Sequence, residues 1–581
     1  MAHFLDPKKF KMNKEKIYLL STLVSGLPMS LYSQNTGNKA PNIIIIMSDD
    51  MGYSDLHCYG GIIQTPNLDK LAANGIRYTQ FYNTARSCPT RASLLTGLHP
   101  HQAGVGHMVG SPKEAEGYRN ELNENCVTIA EVLKTAGYKN YCVGKWHVTA
   151  HAKQGDPNFN YPLQRGFDEY YGIIGGAASF FDPHTLCRGN KYITIENDPE
   201  YRPETYYFTD AIGDNSVQYI KKHGKNQPFF MYVAFTAAHW PMHALEKDVE
   251  PYYGKFDTGW DAMRKEKYAA MVKSGLIKKQ WNLSFDESVT PWEKEEYKDF
   301  EKRCMEVYAG MITNMDRNIG KIVQALQETG QLENTLIFYL QDNGACAENQ
   351  GRELGRNQRK IPNGSILAPM SPDELQTSMT PWRTRDGKPT FTGKDVMPGG
   401  PDTYASYGKG WAYYSNTPFR EYKHWVHEGG IATPLIAHWP SGMKKKGVTR
   451  DVPGQLMDLM ATCVDVAHAQ YPSERNGKAI IPLQGMSLVP SFGKEIKTDR
   501  YLLWEHESNK AIRKDKWKLV HKATGKEKDK NVPTPYSAWE LYDMEKDRTE
   551  TNNLASSYPQ IVKELADAWE RIAWEVKMKP Y

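Results

Sequence analysis

Short, unbroken apolar runs punctuate the chain and are separated by polar, charged blocks. The first, Asn42 to Met47, is almost all isoleucine. A run of this length with no alternation predicts a strand buried on both faces, as in a parallel sheet covered by helices. Lys139 to Val143, Phe229 to Phe235, Thr335 to Leu340 and Thr433 to Ala437 read the same way. Helical patterns lie between them. Pro66 to Asn74 predicts a short helix stopped by Gly75. Thr128-x-x-Glu131 is a capping box opening a helix that closes at Gly137. From Tyr297 to Thr329, Tyr308, Met311, Ile312, Met315, Ile319, Ile322 and Leu326 recur at helical spacing. That stripe is core. The pattern predicts an α/β fold, a mixed and mostly parallel sheet flanked by helices, over residues 40–487.

From about Leu488 the pattern changes. Tyr501 to Glu505, Trp517 to His521 and Trp539 to Tyr542 read as short strands. A final amphipathic helix begins near Tyr558, with Ile561, Leu565, Ala568, Trp569 and Ile572 on one face. Residues 488–581 thus predict a smaller α+β subdomain, an antiparallel sheet with one packed helix.

Two stretches are less regular. Residues 241–300 are charged and aromatic-rich, and read as a helical, peripheral insertion. Residues 345–420 hold many Gly, Pro and aromatic residues. A loop this long in a compact domain is usually functional, and Trp382, Tyr404, Tyr407, Trp411, Tyr413 and Tyr414 argue against disorder. It reads as a wall of a substrate pocket.

The N-terminus reads as an export signal over residues 1–33. Lys8, Lys9, Lys11, Lys14 and Lys16 precede an apolar run from Ile17 to Leu31, which Gly26 and Pro28 interrupt. Met12 is an alternative start of translation. The run is too short and broken to span a bilayer, so the expected product is exported, periplasmic or secreted, without stable membrane insertion. A net charge of only +4 implies no nucleic-acid surface. The eight cysteines show no metal-ligand spacing and read mostly as buried free thiols.

The predicted strand ends carry the chemistry. Asp49 and Asp50 follow the first strand, Lys145 and His147 another, His239 a third, and Asp342 and Asn343 a fourth. Ligands of open α/β sheets sit beyond the carboxyl ends of strands. Ser87 and Lys423 join from loops. Asp49, Asp50, Asp342 and Asn343 offer only oxygen, which favours calcium or magnesium over zinc.

The stretch Ser87-Cys88-Pro89-Thr90-Arg91, ending in Leu95-Thr96-Gly97, resembles the signature of the type I sulfatases. Ser48-Asp49-Asp50, Gly144-Lys145-Trp146-His147, Asp342-Asn343-Gly344, and Lys423 ahead of Glu428-Gly429-Gly430 match further motifs of that family. Leu98 to Gly104 and Asn416 to Arg420 look most like its bacterial arylsulfatase branch. The register, counted from Arg91, places the nucleophile at Ser87 and makes Cys88 a spacer.

The resemblance implies an alkaline-phosphatase-like fold and a sulfatase that frees inorganic sulfate from a monoester. It implies that Ser87 is oxidised to formylglycine, which with Asp49, Asp50, Asp342 and Asn343 holds one calcium ion. One hydroxyl of the aldehyde hydrate attacks sulfur, and the other then ejects sulfate. Asp342 accepts the proton of the attacking hydroxyl. Arg91 and Lys145 stabilise the hydrate and the anion, and His147 assists collapse. His239 and Lys423 bind sulfate and protonate the leaving oxygen, with Lys145 as a further sulfate contact. A serine-type signature implies maturation by an anaerobic radical enzyme, before folding and export. The substrate is an aryl sulfate or a sulfated carbohydrate, consistent with glycan degradation. His99, His101 and His107 read as core or supporting residues, whereas His184, His243, His424 and His427 could line the pocket. Two alternatives are a phosphoesterase of the same superfamily and a non-catalytic glycan-binding protein.

Overall fold

The computed structural model describes residues 40–581, apart from 111, 355–363 and 526–530. The expected signal segment lies outside the described residues. The central sheet is built from β1 (Asn42–Ser48), β2 (Ile76–Tyr82), β3 (Lys139–Gly144), β4 (Glu169–Ile173), β5 (Leu186–Arg188), β6 (Lys191–Tyr192), β7 (Phe229–Ala234), β8 (Thr335–Gln341), β9 (Ala432–His438) and β10 (Val448–Arg450). Its order is β10-β2-β9-β8-β1-β7-β3-β4-β5-β6, with β11 (Gly454–Gln455) also on β2. The middle strands β8-β1-β7-β3-β4 are all parallel. The pairs β2–β9, β8–β9, β4–β5 and β5–β6 are antiparallel. β1 sits centrally, which explains its isoleucines: Ile43 to Ile46 are fully buried, with alternate residues facing the two hydrophobic layers.

The long helix spans Lys298–Glu328, and its predicted stripe from Tyr308 to Leu326 is fully buried. Thr128 caps helix Ile129–Thr135 with the reciprocal Glu131 bonds of a capping box. All eight cysteines are unpaired, and all but Cys58 are buried. No helix among the described residues is long and apolar enough to cross a membrane.

The insertion at 241–300 is helical over Gly259–Lys273 but is not peripheral. Trp260 and Trp292 pack edge-on, and buried Lys267 donates to the carbonyls of Ser54 and Tyr414. Its charges read as solvent-facing in the sequence because their backbone partners lie far along the chain. In segment 345–420, Tyr407, Trp411, Tyr413 and Tyr414 are buried in the main core, Tyr404 is buried against Trp240 and His243, and Trp382 is exposed. Those five aromatics are structural. Leu375, Gln376, Thr377 and Met379 nevertheless help line a cavity of about 600 Å³, together with Asp182, His184 and Tyr192.

The C-terminal sheet pairs Tyr501–His506, Asn509–Lys514, Trp517–His521 and Glu540–Asp543 in antiparallel order. Helix Pro559–Glu575 covers one face with Val562, Leu565 and Trp569. The sheet is joined to the loop after Lys423 by buried ions. Lys518 Nζ lies 2.9 Å from Glu428 and 2.8 Å from Glu550, and Arg548 Nε lies 2.7 Å from Glu428.

Candidate active site

The carboxyl ends of β1, β3, β7 and β8 meet at one place. β1 and β8 are paired through Ser48 and Gln341, so Asp49 and Asp342 emerge side by side. Asp50 adopts a left-handed conformation with φ of 56°, and its backbone N–H donates to Asp342 Oδ1 at 3.1 Å. Asn343 Nδ2 donates to Asp50 Oδ1 at 2.6 Å. All four side chains are fully buried.

Cations surround this cluster. Lys145 Nζ, just beyond β3, lies 2.6 Å from Asp49 Oδ2. Lys423 Nζ lies 2.9 Å from Asp50 Oδ2. Arg91 Nη2 lies 3.0 Å from Asp342 and 3.4 Å from Asp49. Ser87 is the first residue of helix Ser87–Thr96, rather than part of a loop. One turn on, Arg91 Nε donates to Ser87 Oγ at 3.0 Å. His147 Nδ1 stands 3.4 Å from the same oxygen. His239, beyond β7, points Nε2 at Asp50 Oδ2 at 3.4 Å, while its Nδ1 lies 2.6 Å from the Trp240 carbonyl. That carbonyl fixes the proton on Nδ1 and leaves Nε2 as the basic atom facing the cluster.

The electrostatics split the carboxyls. Burial pushes the Asp49 carboxyl well above its usual range, reinforced by the Asp342 charge. Burial acts on Asp50 too, but Lys423 and His239 more than offset it and hold that carboxyl below its usual range. Asp342 is likewise held low, by Arg91 and Lys145 against burial. Burial keeps His147 neutral, helped by Lys145 and Arg91. Burial also lowers His239, to about 4. Divergent protonation of neighbouring groups is a common property of reacting sites.

Asp49 Oδ1 and Asn343 Oδ1 are buried and have no hydrogen-bond partner. Unpaired buried oxygens are costly, and a hard cation would satisfy both. The donor set is oxygen only, so the residues fit calcium or magnesium. Asp49, Asp50 and His239 also present ligand atoms within 4.8 Å of one another.

The structure brings Asp49, Asp50, Ser87, Arg91, Lys145, His147, His239, Asp342, Asn343 and Lys423 into this one contact network. It adds residues that the motifs did not reveal. Glu348 accepts from Trp240 Nε1 at 2.8 Å and pairs with Arg86 at 3.0 Å and Lys423 at 3.5 Å. Its position just past Asp342-Asn343-Gly344 was the available signal. Tyr232 lies inside β7, and its hydroxyl is 3.2 Å from Arg91 Nη1. Cys88 is more than a spacer, because its sulfur lies 3.2 Å from His147 Nε2. Of the other histidines, His427 and His243 are fully buried and bonded to Glu540 and the Thr403 carbonyl. His101 is buried against Glu505.

The model of the Sulfatase family matches residues 41–469. A second, for the C-terminal part of N-sulphoglucosamine sulphohydrolase, matches residues 420–574. The chain is 31% identical to an arylsulfatase of Klebsiella aerogenes, over 77% of this chain and 91% of the relative. It is 29% identical to an uncharacterized sulfatase of Schizosaccharomyces pombe, over 93% and 94% of the two chains. Among solved structures, Ps i-CgsB in complex with k-i-k-neocarrahexaose superposes with a TM-score of 0.60 at 24% identity, covering 92% of this chain and 93% of that one. The fold is that of these sulfatases, and the chain belongs to the sulfatase family, a family of sulfuric ester hydrolases.

Proposed function

We propose that this protein hydrolyses sulfate monoesters of carbohydrates, using one calcium ion and a formylglycine made from Ser87. The observation that carries this reading is the buried cluster beside Ser87, with two oxygens that no protein donor satisfies. Relatives support the substrate class: a similar fold at 21% identity and a TM-score of 0.59 is described in complex with its substrate D-Glucosamine-2-N, 6-O-disulfate. Activated aryl sulfates should also turn over, because a good leaving group needs little recognition.

The formylglycine hydrate would supply one hydroxyl to attack sulfur and a second to release sulfate. Asp49, Asp50, Asp342 and Asn343 would hold the calcium ion, which would polarise a sulfate oxygen. Ionised Asp342 is a proton acceptor near the attacking group. Neutral His147, through Nδ1, is placed to take a proton at residue 87, and a ring N–H on Nε2 would donate to Cys88. Arg91 fixes the position of the Ser87 oxygen while holding Asp342. Lys423 carries a firmly bound proton, since burial is outweighed by Asp50 and its neighbours. It would bind sulfate and steady charge on the leaving oxygen. His239 presents a basic Nε2 to the same region, and the charge of a bound sulfate would raise its affinity for a proton. Proton transfer of this kind is worth about 10²–10⁴-fold.

The alcohol half of the substrate would meet the loop at Gly175 and Gly176. A Cβ on Gly176 would stand 2.3 Å from the His147 ring, so this loop is tied to the site. Beyond it lies the cavity lined by His184, Asp182, Leu375, Gln376, Thr377 and Met379. The reading also includes export to the periplasm or medium, and maturation of Ser87 by an anaerobic radical enzyme.

The test has two parts. Mass spectrometry of the peptide containing Ser87 should show the loss of two hydrogens in active preparations. Ser87→Ala should then abolish sulfate release from sulfated monosaccharides and from an aryl sulfate, with folding intact. Undiminished release from Ser87→Ala would overturn the mechanism.

A further inference from the structure

A second cluster of metal-ligating side chains lies outside the oxygen-only site. His424 follows Lys423, and its backbone N–H donates to the Ala85 carbonyl at 2.8 Å. His506 ends the first strand of the C-terminal sheet, and Glu507 opens the turn after it. Ligand atoms of these three residues all lie within 4.8 Å of one another.

His506 is the telling member. It is fully buried, and neither ring nitrogen has a hydrogen-bond partner. Its Nε2 stands 3.8 Å from Glu507 Oε1, too far for a hydrogen bond. Two ligands at ~2.0–2.2 Å from one tetrahedral ion stand roughly 3.3–3.6 Å apart. His424 Nδ1 lies 2.8 Å from Glu507 Oε2, on the other carboxylate oxygen. An imidazole kept in a core with both nitrogens unpaired carries the desolvation cost of buried polar groups that lack partners. An ion taken up by its lone pair would offset part of that cost.

The surroundings suit a ligand set. His107 Nδ1 accepts from the Met108 N–H, so Nε2 carries the ring proton and faces Glu507 Oε1 at 3.2 Å. His107 therefore orients the carboxylate, as partners of metal ligands commonly do. Asn509 Nδ2 donates to the His506 carbonyl at 3.1 Å and lies 3.4 Å from His424 Nε2. His424, Glu507 and Ser508 all hold left-handed backbone conformations, with φ of 95°, 49° and 72°. With neither ring nitrogen partnered, His506 has a lone pair available to a metal.

We propose that His424, His506 and Glu507 form a second metal site that takes a divalent transition ion of the zinc class. Two imidazoles and one carboxylate select such ions, whereas the strand-end cluster, all oxygen, selects calcium or magnesium. Three protein ligands leave a coordination position open. The site would tie the loop bearing Lys423 to the C-terminal sheet, next to the residues that precede Ser87. It does not depend on formylglycine or on the proposed substrate.

The full-length protein, stripped with chelator and reloaded with calcium, should be titrated with zinc by calorimetry. One zinc per chain is expected, and cobalt(II) should give the visible absorption of a low-coordinate nitrogen–oxygen site. His506→Ala should weaken zinc binding at least about a hundredfold, and His107→Ala about tenfold. Where His506→Ala fails to fold, His424→Ala and Glu507→Gln serve, since both side chains are partly exposed. Asp342→Asn should keep its zinc. Absence of zinc binding by the wild type, or full binding by the His424 and Glu507 variants, overturns the proposal. So does unchanged zinc binding with a raised KM for sugar sulfates alone, which would make the cluster a substrate contact.

Discussion

Two buried ionic clusters in this molecule use the same ingredients to opposite ends. At the strand ends, Asp49, Asp50 and Asp342 face Arg91, Lys145 and Lys423. Under the C-terminal sheet, Glu428 and Glu550 face Lys518 and Arg548. In the second cluster each carboxylate meets a cation without a second carboxylate crowding it from the same strand end. Burial raises Glu428, but Lys518 and Arg548 bring it down to about 2. In the first, burial leaves Asp49 above its usual range, and the like charge of Asp342 adds to it. One cluster pairs each carboxylate with a cation of the chain and acts as a fastener. The other leaves Asp49 Oδ1 and Asn343 Oδ1 without a partner, and on the proposed mechanism a bound ion completes it.

The sharpest way to break that contrast is to neutralise one carboxylate in each cluster. Asp49→Asn should lower sulfate release from loaded enzyme by at least about a hundredfold, since a bound metal supplies several kcal/mol of charge stabilisation. Calcium affinity, read by calorimetry, should fall with it. The ion-free variant should melt no lower than the ion-free wild type, because the amide replaces a carboxyl whose charge is disfavoured. A lower melting temperature would show that the two clusters play the same role.

Glu428→Gln should do the reverse. Leaving Lys518 and Arg548 short of a partner costs about 3–5 kcal/mol of stability, measured by denaturant unfolding. Activity per folded molecule should fall less than in Asp49→Asn, and only through the loop that carries Lys423.

The smallest effect expected is in the pH profile. A carboxyl whose folded pKa is depressed contributes stability above its unfolded value, lost as pH falls through the folded value. For Glu428 that window runs from its ordinary value of 4.5 down to about 2, and the loss is on the order of 3 kcal/mol. Asp49 has the opposite sign: its contribution is present at low pH and fades as pH rises through the raised folded value. Unfolding free energies measured across this range should therefore fall less steeply with acid in Glu428→Gln than in the wild type.

The sequence exposed these two clusters unequally. Asp49, Asp50, Asp342 and Asn343 were legible because each follows an apolar strand, where packing offers no use for a charge. Four of the five parallel strands, β8, β1, β7 and β3, were legible from the same unbroken runs, as was antiparallel β9, whereas β4 was not. Lys518 and Arg513 were not, because each sits inside a strand where alternation suggests a solvent-facing side chain. Both are buried, Lys518 on Glu428 and Arg513 on the Tyr82 hydroxyl. Strand Asn509–Lys514 went unread for that reason, and β2 because Arg77 and Gln80 break its apolar face. Glu348 had a strand-end position but no motif. The aromatics of 345–420 showed that the segment is ordered, but not which way they face, since pocket wall and core use the same residues. Helix Gly408–Ser415 turns Trp411 inward onto Trp260 and Trp292.

Ser87 is only 2% exposed and lies in the first turn of a helix that is buried along its whole length. A modifying enzyme has no access to it once this chain has folded. On the proposed mechanism, each molecule therefore has one opportunity to become active, and a molecule that folds first stays inert. The active fraction of any preparation is then set by a race between oxidation and folding. Slowing folding should enrich active molecules, and catalytic constants should be expressed per aldehyde rather than per chain.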